Sequence, residues 1–254
     1  MGMARRVAFG IAATTVAGGA LLAVEALAAT RREYLAAETA PPVGGTFGRA
    51  FAPPLRLAVL GDSTAAGIGV ARVDDTVAGR LAQVVAGTGR FVTLDGLGVS
   101  GSRASDLAPQ VSRALLHPPD VAVVLIGAND ATHGSGLPLV RDDVRDAVTR
   151  LRDAGVAVVV GSCPDMGAAT AFLPPLRHVV AWNGRRVGAA VRDAAAGAGA
   201  VTVDIGGETG AAFRSDPRRY LSSDEFHPSA DGYALWAEAL ADEVRAAAAT
   251  HPVG

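Results

Sequence analysis

Five short, almost wholly apolar runs punctuate the chain, at residues 55–60, 91–95, 121–126, 156–161 and 201–205. A strand with one wet face alternates apolar and polar residues; a strand covered on both faces does not. Between the runs lie stripes of helical period. Val77, Leu81, Val84 and Val85 follow one helical face, with Asp75-Thr76 as a cap before them and Gly87 after them. Val140, Val144, Val148 and Leu151 make a second stripe, stopped by Gly155, and Tyr233, Trp236, Leu240 and Val244 share one side of a last helix. Strands of this kind alternating with helices imply an α/β fold: a three-layer α/β/α sandwich around a five-stranded parallel sheet. In such sheets chemistry gathers at the carboxyl ends of the strands.

The domain so defined spans residues 55–250, a size for one hydrophobic core in a chain of 254 residues. Upstream, Arg5-Arg6 precede a charge-free run over residues 7–24, and Ala26-Leu27-Ala28 offers a small-x-small cleavage site. Residues 1–30 therefore read as a signal peptide or an uncleaved N-terminal membrane anchor, since the run exceeds the usual signal core and nearly reaches bilayer length. Either way the protein is expected to be secreted or held on the outer side of the cytoplasmic membrane, with membrane association through residues 7–24. Pro41-Pro42, Gly44-Gly45 and Pro53-Pro54 give residues 31–54 the composition of a linker. With a formal net charge of -2 and no basic cluster, the electrostatic footprint of a nucleic-acid binder is missing. The single cysteine, Cys163, excludes an internal disulfide framework and a thiolate-built zinc site. No pair of histidines has metal-ligand spacing. Neither metal nor cofactor is expected, and the protein is expected to be a monomer.

Four loops carry the chemistry. Gly61-Asp62-Ser63-Thr64 follows the first apolar run and places a hydroxyl at a strand-to-helix turn; taken alone, it reads equally as a turn with a capping serine. Gly96-Leu97-Gly98-Val99-Ser100-Gly101 follows the second, Gly127-Ala128-Asn129-Asp130 the third, and Asp224-Glu225-Phe226-His227-Pro228 precedes the last helix.

In this order the four segments resemble the SGNH hydrolases, the GDSL-like lipase/acylhydrolase family, from residue 55 to about residue 236. Gly61-Asp62-Ser63 matches that family's nucleophile turn, Gly101 its second-block glycine, Gly127-Ala128-Asn129-Asp130 its GxND block and Asp224 with His227 its DxxH block. Each motif is short; their joint occurrence is specific. Thr64 replaces the leucine of the GDSL name, and Gly96 stands where many members carry asparagine. The resemblance implies the flavodoxin-like SGNH fold and hydrolysis of a small-molecule or lipid ester.

The residue types fit that chemistry on their own. Acyl transfer needs a nucleophile, a base and donors for a developing oxyanion. Ser63 is the candidate nucleophile, His227 the base and Asp224 the group that fixes the imidazole tautomer. The backbone N–H groups of Ser63 and Gly101 and the side-chain amide of Asn129 are the candidate oxyanion donors. Asp62 reads as a brace for its turn and Asp130 as a positioner of its loop. His133, just after the GxND block, is left open between pocket and surface, and Cys163 reads as a buried or pocket-wall thiol, whereas His117 reads as a helix-end residue and His178 and His251 as helix-surface residues. The pocket is expected to be built from residues 134–139 and 164–175, with residues 65–69 giving an apolar acyl site.

Three other readings compete. The literal GxGxxG of Gly96 to Gly101 is a dinucleotide fingerprint with Asp130 as its ribose acid. It follows the second strand rather than the first, and Asp130 lies later than the usual spacing of about 20 residues. A carbohydrate O-acetylesterase of the same fold and a non-catalytic binding domain are the remaining alternatives.

Overall fold

Alternate residues of the central strands enter opposite hydrophobic cores, which is the physical content of their unbroken apolar runs. In this computed structural model, which describes residue 19, residues 21–29 and residues 31–250, Ala58 and Leu60 point to one core while Leu57 and Val59 point to the other. The strands are β1 (Gly44–Phe47), β2 (Pro54–Gly61), β3 (Phe91–Gly96), β4 (Val121–Leu125), β5 (Ala157–Gly161) and β6 (Val201–Val203). They lie in the order β1-β3-β2-β4-β5-β6. All pairs from β3 to β6 are parallel.

Residues 21–29 form helix α1. The domain helices that follow are α2 (Val77–Ala86), α3 (Leu107–Ala114), α4 (Ala128–His133), α5 (Leu137–Asp153), α6 (Leu176–Gly197), α7 (Ile205–Ser215), α8 (Pro217–Tyr220) and α9 (Ala230–Ala249). Val111 of α3, Val144, Val148 and Leu151 of α5, and Val187 and Val191 of α6 fill the core on one face of the sheet. Leu81 and Val85 of α2 pack with Tyr233, Trp236, Leu240 and Val244 of α9 on the other. This is the three-layer α/β/α sandwich that the apolar pattern implies.

The sheet has six strands, not five, and the sixth corrects the sequence reading. β1 pairs antiparallel with β3, from Gly44 opposite Asp95 to Phe47 opposite Val92. It lies within residues 31–54, expected to be linker. Its four residues include two glycines and bury neither face fully, so they carry no hydrophobic period, and the strand is specified by the open edge of β3. At the other edge β6 stops at Val203, because the carboxylate of Asp204 accepts from the Gly207 amide and caps α7. Most of the apolar run at residues 7–24 lies outside the described residues. Among the described residues no helix is long and apolar enough to cross a membrane.

Adjacent strands bring their loops together. The Leu97 amide donates to the Val59 carbonyl (2.8 Å) and the Val99 amide to the Gly61 carbonyl (3.0 Å), while the Asp62 amide donates to Leu125 (3.2 Å). The carboxyl ends of β3, β2 and β4 are thereby laced into one platform.

Candidate active site

Gly61 opens the platform in a conformation closed to other residues: its φ is 137°, and a Cβ there would lie 1.9 Å from the Leu125 carbonyl oxygen. The chain turns at once. Asp62 accepts from the Thr64 amide (2.9 Å) and hydroxyl (2.7 Å), closing the turn around Ser63. Burial pushes the Asp62 carboxyl up, against the lowering effect of those two bonds. The expected bracing role of Asp62 is thus present in the geometry.

The loop ahead of α9 is equally constrained. Leu221 bridges to Pro228, and the Ser222 amide donates to the His227 carbonyl (2.8 Å). Asp224 Oδ1 accepts from the amides of Phe226 (3.1 Å) and His227 (3.0 Å). Its other oxygen, Oδ2, lies 2.6 Å from His227 Nδ1. On the far side of the ring, His227 Nε2 is 3.0 Å from Ser63 Oγ. The side chains of His227 and Asp224 are only 7% and 3% exposed. Burial alone would raise the Asp224 pKa; the hydrogen bonds from the His227 ring and backbone, its charge and the Leu35 amide outweigh burial and hold the carboxyl well below the usual carboxylate range. An ionised carboxylate only accepts hydrogen bonds. Nδ1 therefore carries a proton toward Asp224, and in the neutral imidazole Nε2 is left to accept from the Ser63 hydroxyl.

The remaining expected residues surround this line. Gly127, with φ 123°, leads into α4 and presents Asn129, whose Nδ2 donates to the Ser102 carbonyl (3.0 Å). Gly101, with φ 81°, lines the same cleft as Ser63, Asn129 and His227. Neither the Ser63 nor the Gly101 backbone amide donates to a protein acceptor among the described residues. Asp130 is buried and accepts from the Ala104 amide (3.0 Å), tying the third loop to the second. Gly96 and Gly98 of the second loop are explained by close approach: a Cβ on Gly98 would fall 2.6 Å from the backbone nitrogen of Ala66.

Two spaces open on the Ser63–His227 pair. One is a small hollow of about 40 Å³ edged by Met166, Ala168, Phe213, Leu221 and Trp236. The other is a cleft of about 470 Å³ between α6 and the N-terminal segment. His133, left open between pocket and surface by the sequence, lines the cleft, with its Nδ1 2.9 Å from the Asn129 carbonyl oxygen. Met166, Ala168 and Phe172 bring the expected contribution of residues 164–175.

Two expectations, for residues 65–69 and 134–139, need correction. Residues 65–69 do not line either space; Ala65 and Ile68 are fully buried, because the turn folds inward beneath the catalytic loop. Residues 134–139 line neither space, since Leu137 already begins α5. Cys163 is a buried thiol whose pKa is driven up by its burial, and it opens toward neither space. His117 and His178 are exposed, and His251 lies outside the described residues.

Two contributors were missed by sequence reasoning. Gln110 of α3 is buried and clamps the Gly61 peptide at both ends: its Oε1 accepts from the Gly61 amide (2.7 Å) and its Nε2 donates to the Gly61 carbonyl (2.9 Å). A polar residue inside the Leu107–Val111–Ala114 stripe was the available signal. The second is the Leu35 amide, which donates to Asp224 Oδ2 (3.1 Å) from a segment with no periodicity to flag it.

A parallel α/β sandwich with a buried Ser–His–Asp line at the carboxyl edge of its sheet places the protein in the SGNH-hydrolase class of folds. The chain belongs to the GDSL-like lipase/acylhydrolase family, whose profile matches residues 59–235. A GDSL-like esterase of Mycobacterium tuberculosis is 38% identical over 189 residues, covering 73% of this chain and 60% of that protein. The chain thus spans about three-fifths of the length of that relative. Among solved structures, the lipase/acylhydrolase from Enterococcus faecalis aligns with a TM-score of 0.60 at 18% identity, over 76% of this chain and 96% of that one. A catalytic mutant of an acetylxylan esterase from Geobacillus stearothermophilus aligns with a TM-score of 0.55 at 20% identity, over 78% and 95%. At such identities the likeness is one of fold.

Proposed function

We propose that this protein is a serine esterase that hydrolyses carboxylic esters, from small molecules or lipids, through an acyl-enzyme. The observation that carries this reading is the continuous line from Ser63 Oγ to His227 Nε2 (3.0 Å) and from His227 Nδ1 to Asp224 Oδ2 (2.6 Å). The Ser63 oxygen attacks the ester carbonyl carbon as its proton passes to Nε2. The charge that develops on the carbonyl oxygen is met by the Ser63 and Gly101 amides and the second N–H of Asn129 Nδ2. Collapse of the tetrahedral intermediate breaks the bond to the alcohol oxygen, which leaves with the proton from Nε2. Water then repeats the sequence on the acyl-serine, returning its proton through His227 and releasing the acid. Asp224 stays ionised throughout and stabilises the imidazolium. The same chemistry would remove acetyl groups from a glycan, so carbohydrate O-acetyl esters remain the alternative substrate. The N-terminal apolar run supports a secreted or membrane-held location outside the cytoplasm.

The test is reaction with a fluorophosphonate probe and turnover of p-nitrophenyl esters. Both are expected to vanish in Ser63→Ala. His227→Ala should lose turnover by a similar factor, and Asp224→Asn should retain more. Labelling of Ser63→Ala equal to wild type would remove the serine from this role.

A further inference from the structure

The matched family segment begins at residue 59, yet residues upstream of it sit on the site. The Leu35 amide holds the same Asp224 oxygen that faces His227 Nδ1. One residue earlier, the Tyr34 ring stands edge-on to Phe226 with centroids 5.3 Å apart. Phe226 in turn is edge-on to both His227 (5.0 Å) and Phe172 (5.8 Å). Arg32 forms an ion pair with Glu225, beside the catalytic loop. Further back, Glu25 Oε2 accepts from the Leu176 amide (2.9 Å), fastening α1 to the first turn of α6.

These anchors fix a wall. Ala26 and Ala29, three residues apart on one face of α1, line the cleft with Tyr34 and Leu35. Leu176 and Val180, four residues apart on α6, line it from the other side, and Ser63 and His227 are reached from the same space. Small methyl groups on α1 leave the width between the two helices open, and the lining on both sides is mainly apolar.

We propose that residues 21–29 and 31–35 are a specificity-determining strap: they form one wall of the cleft and select esters carrying an apolar alkyl chain, which lies between α1 and α6. The proposal rests on the esterase reading above. It concerns the chain that retains α1, in which Ala26 and Ala29 both face the substrate.

The test uses the full chain, purified in detergent with its N-terminus confirmed by mass spectrometry, and two ester series: p-nitrophenyl esters from acetyl to decanoyl, and acetate esters of lengthening alcohols. Ala29→Trp fills the slot. It is expected to lower kcat/KM for long chains about tenfold or more relative to that for acetate in one of the two series, naming the end of the ester that occupies the cleft. Tyr34→Ala widens the wall and is expected to shift the preference toward longer chains in that same series. Chain-length ratios in both variants within about twofold of wild type, in both series, would overturn the strap as a specificity wall. Should Ala29→Trp fail to fold, as its melting curve would reveal, Tyr34→Ala decides alone. A wild-type chain that turns over no ester and takes no fluorophosphonate fails the esterase reading instead, a result distinct from unchanged ratios in an active enzyme.

Discussion

At the scale of single residues, Asp224 concentrates the most interactions in the site. Its two oxygens face four donors: the amides of Leu35, Phe226 and His227 and the His227 ring. A carboxyl held below its unfolded value, about 3.9, stabilises the fold at every pH above that value. This contribution is lost as pH falls through the unfolded value and on through the folded one. Wild-type protein should therefore exceed Asp224→Asn in melting temperature at neutral pH, with the gap closing on acidification below about pH 5. Melting curves of the two proteins that run parallel from neutral to acid would contradict this. Ser63, Asn129, Asp224 and His227 were legible because acyl-transfer chemistry restricts residue type, and the first, third and fourth of the short blocks supplied them. Gln110 and the Leu35 amide were not, since they act by clamping backbone and aligning a carboxylate. A backbone amide has no residue type to read.

At the scale of elements, what the sequence announces is what burial demands. The central strands β2, β4 and β5 announced themselves because each must be apolar on both faces, whereas β1 has only an edge to offer and half-buried ends. α2 was bounded correctly by its cap: Thr76 Oγ1 accepts from the Gly79 amide (2.9 Å) and donates to the Val73 carbonyl (2.7 Å). Thr76 is fully buried, and its methyl lies where a Cβ on Gly67 would fall, 2.5 Å away, so the start of α2 braces the loop that carries Ser63. Thr76→Ala removes the cap and the methyl contact together. It should cost about 1–2 kcal/mol, read as a lower urea midpoint with an unchanged slope. A midpoint equal to wild type would show that the cap carries no net stability.

At the scale of the whole molecule, two apolar cores share one sheet, and each central strand contributes to both. Neither face can lose its helices without exposing the reverse of strands that the other face needs, so the domain should unfold as a single unit. Leu151 of α5 and Leu240 of α9 are fully buried on opposite faces. Truncating either to alanine should cost about 2–5 kcal/mol, and at about 2–4 °C per kcal/mol for a domain of this size the melting point should fall by about 4–20 °C. The two tryptophans separate the possibilities: Trp236 is buried on the α9 face, while Trp182 on α6 is 53% exposed. In Leu151→Ala the perturbed core is the one that Trp236 does not touch. If the sheet couples the faces, the tryptophan fluorescence transition moves down with the far-ultraviolet circular dichroism transition, and the two coincide. A fluorescence transition left at the wild-type temperature, above an earlier loss of helix signal, would mean that the α3–α5–α6 layer melts on its own and that the shared strands do not bind the two cores into one.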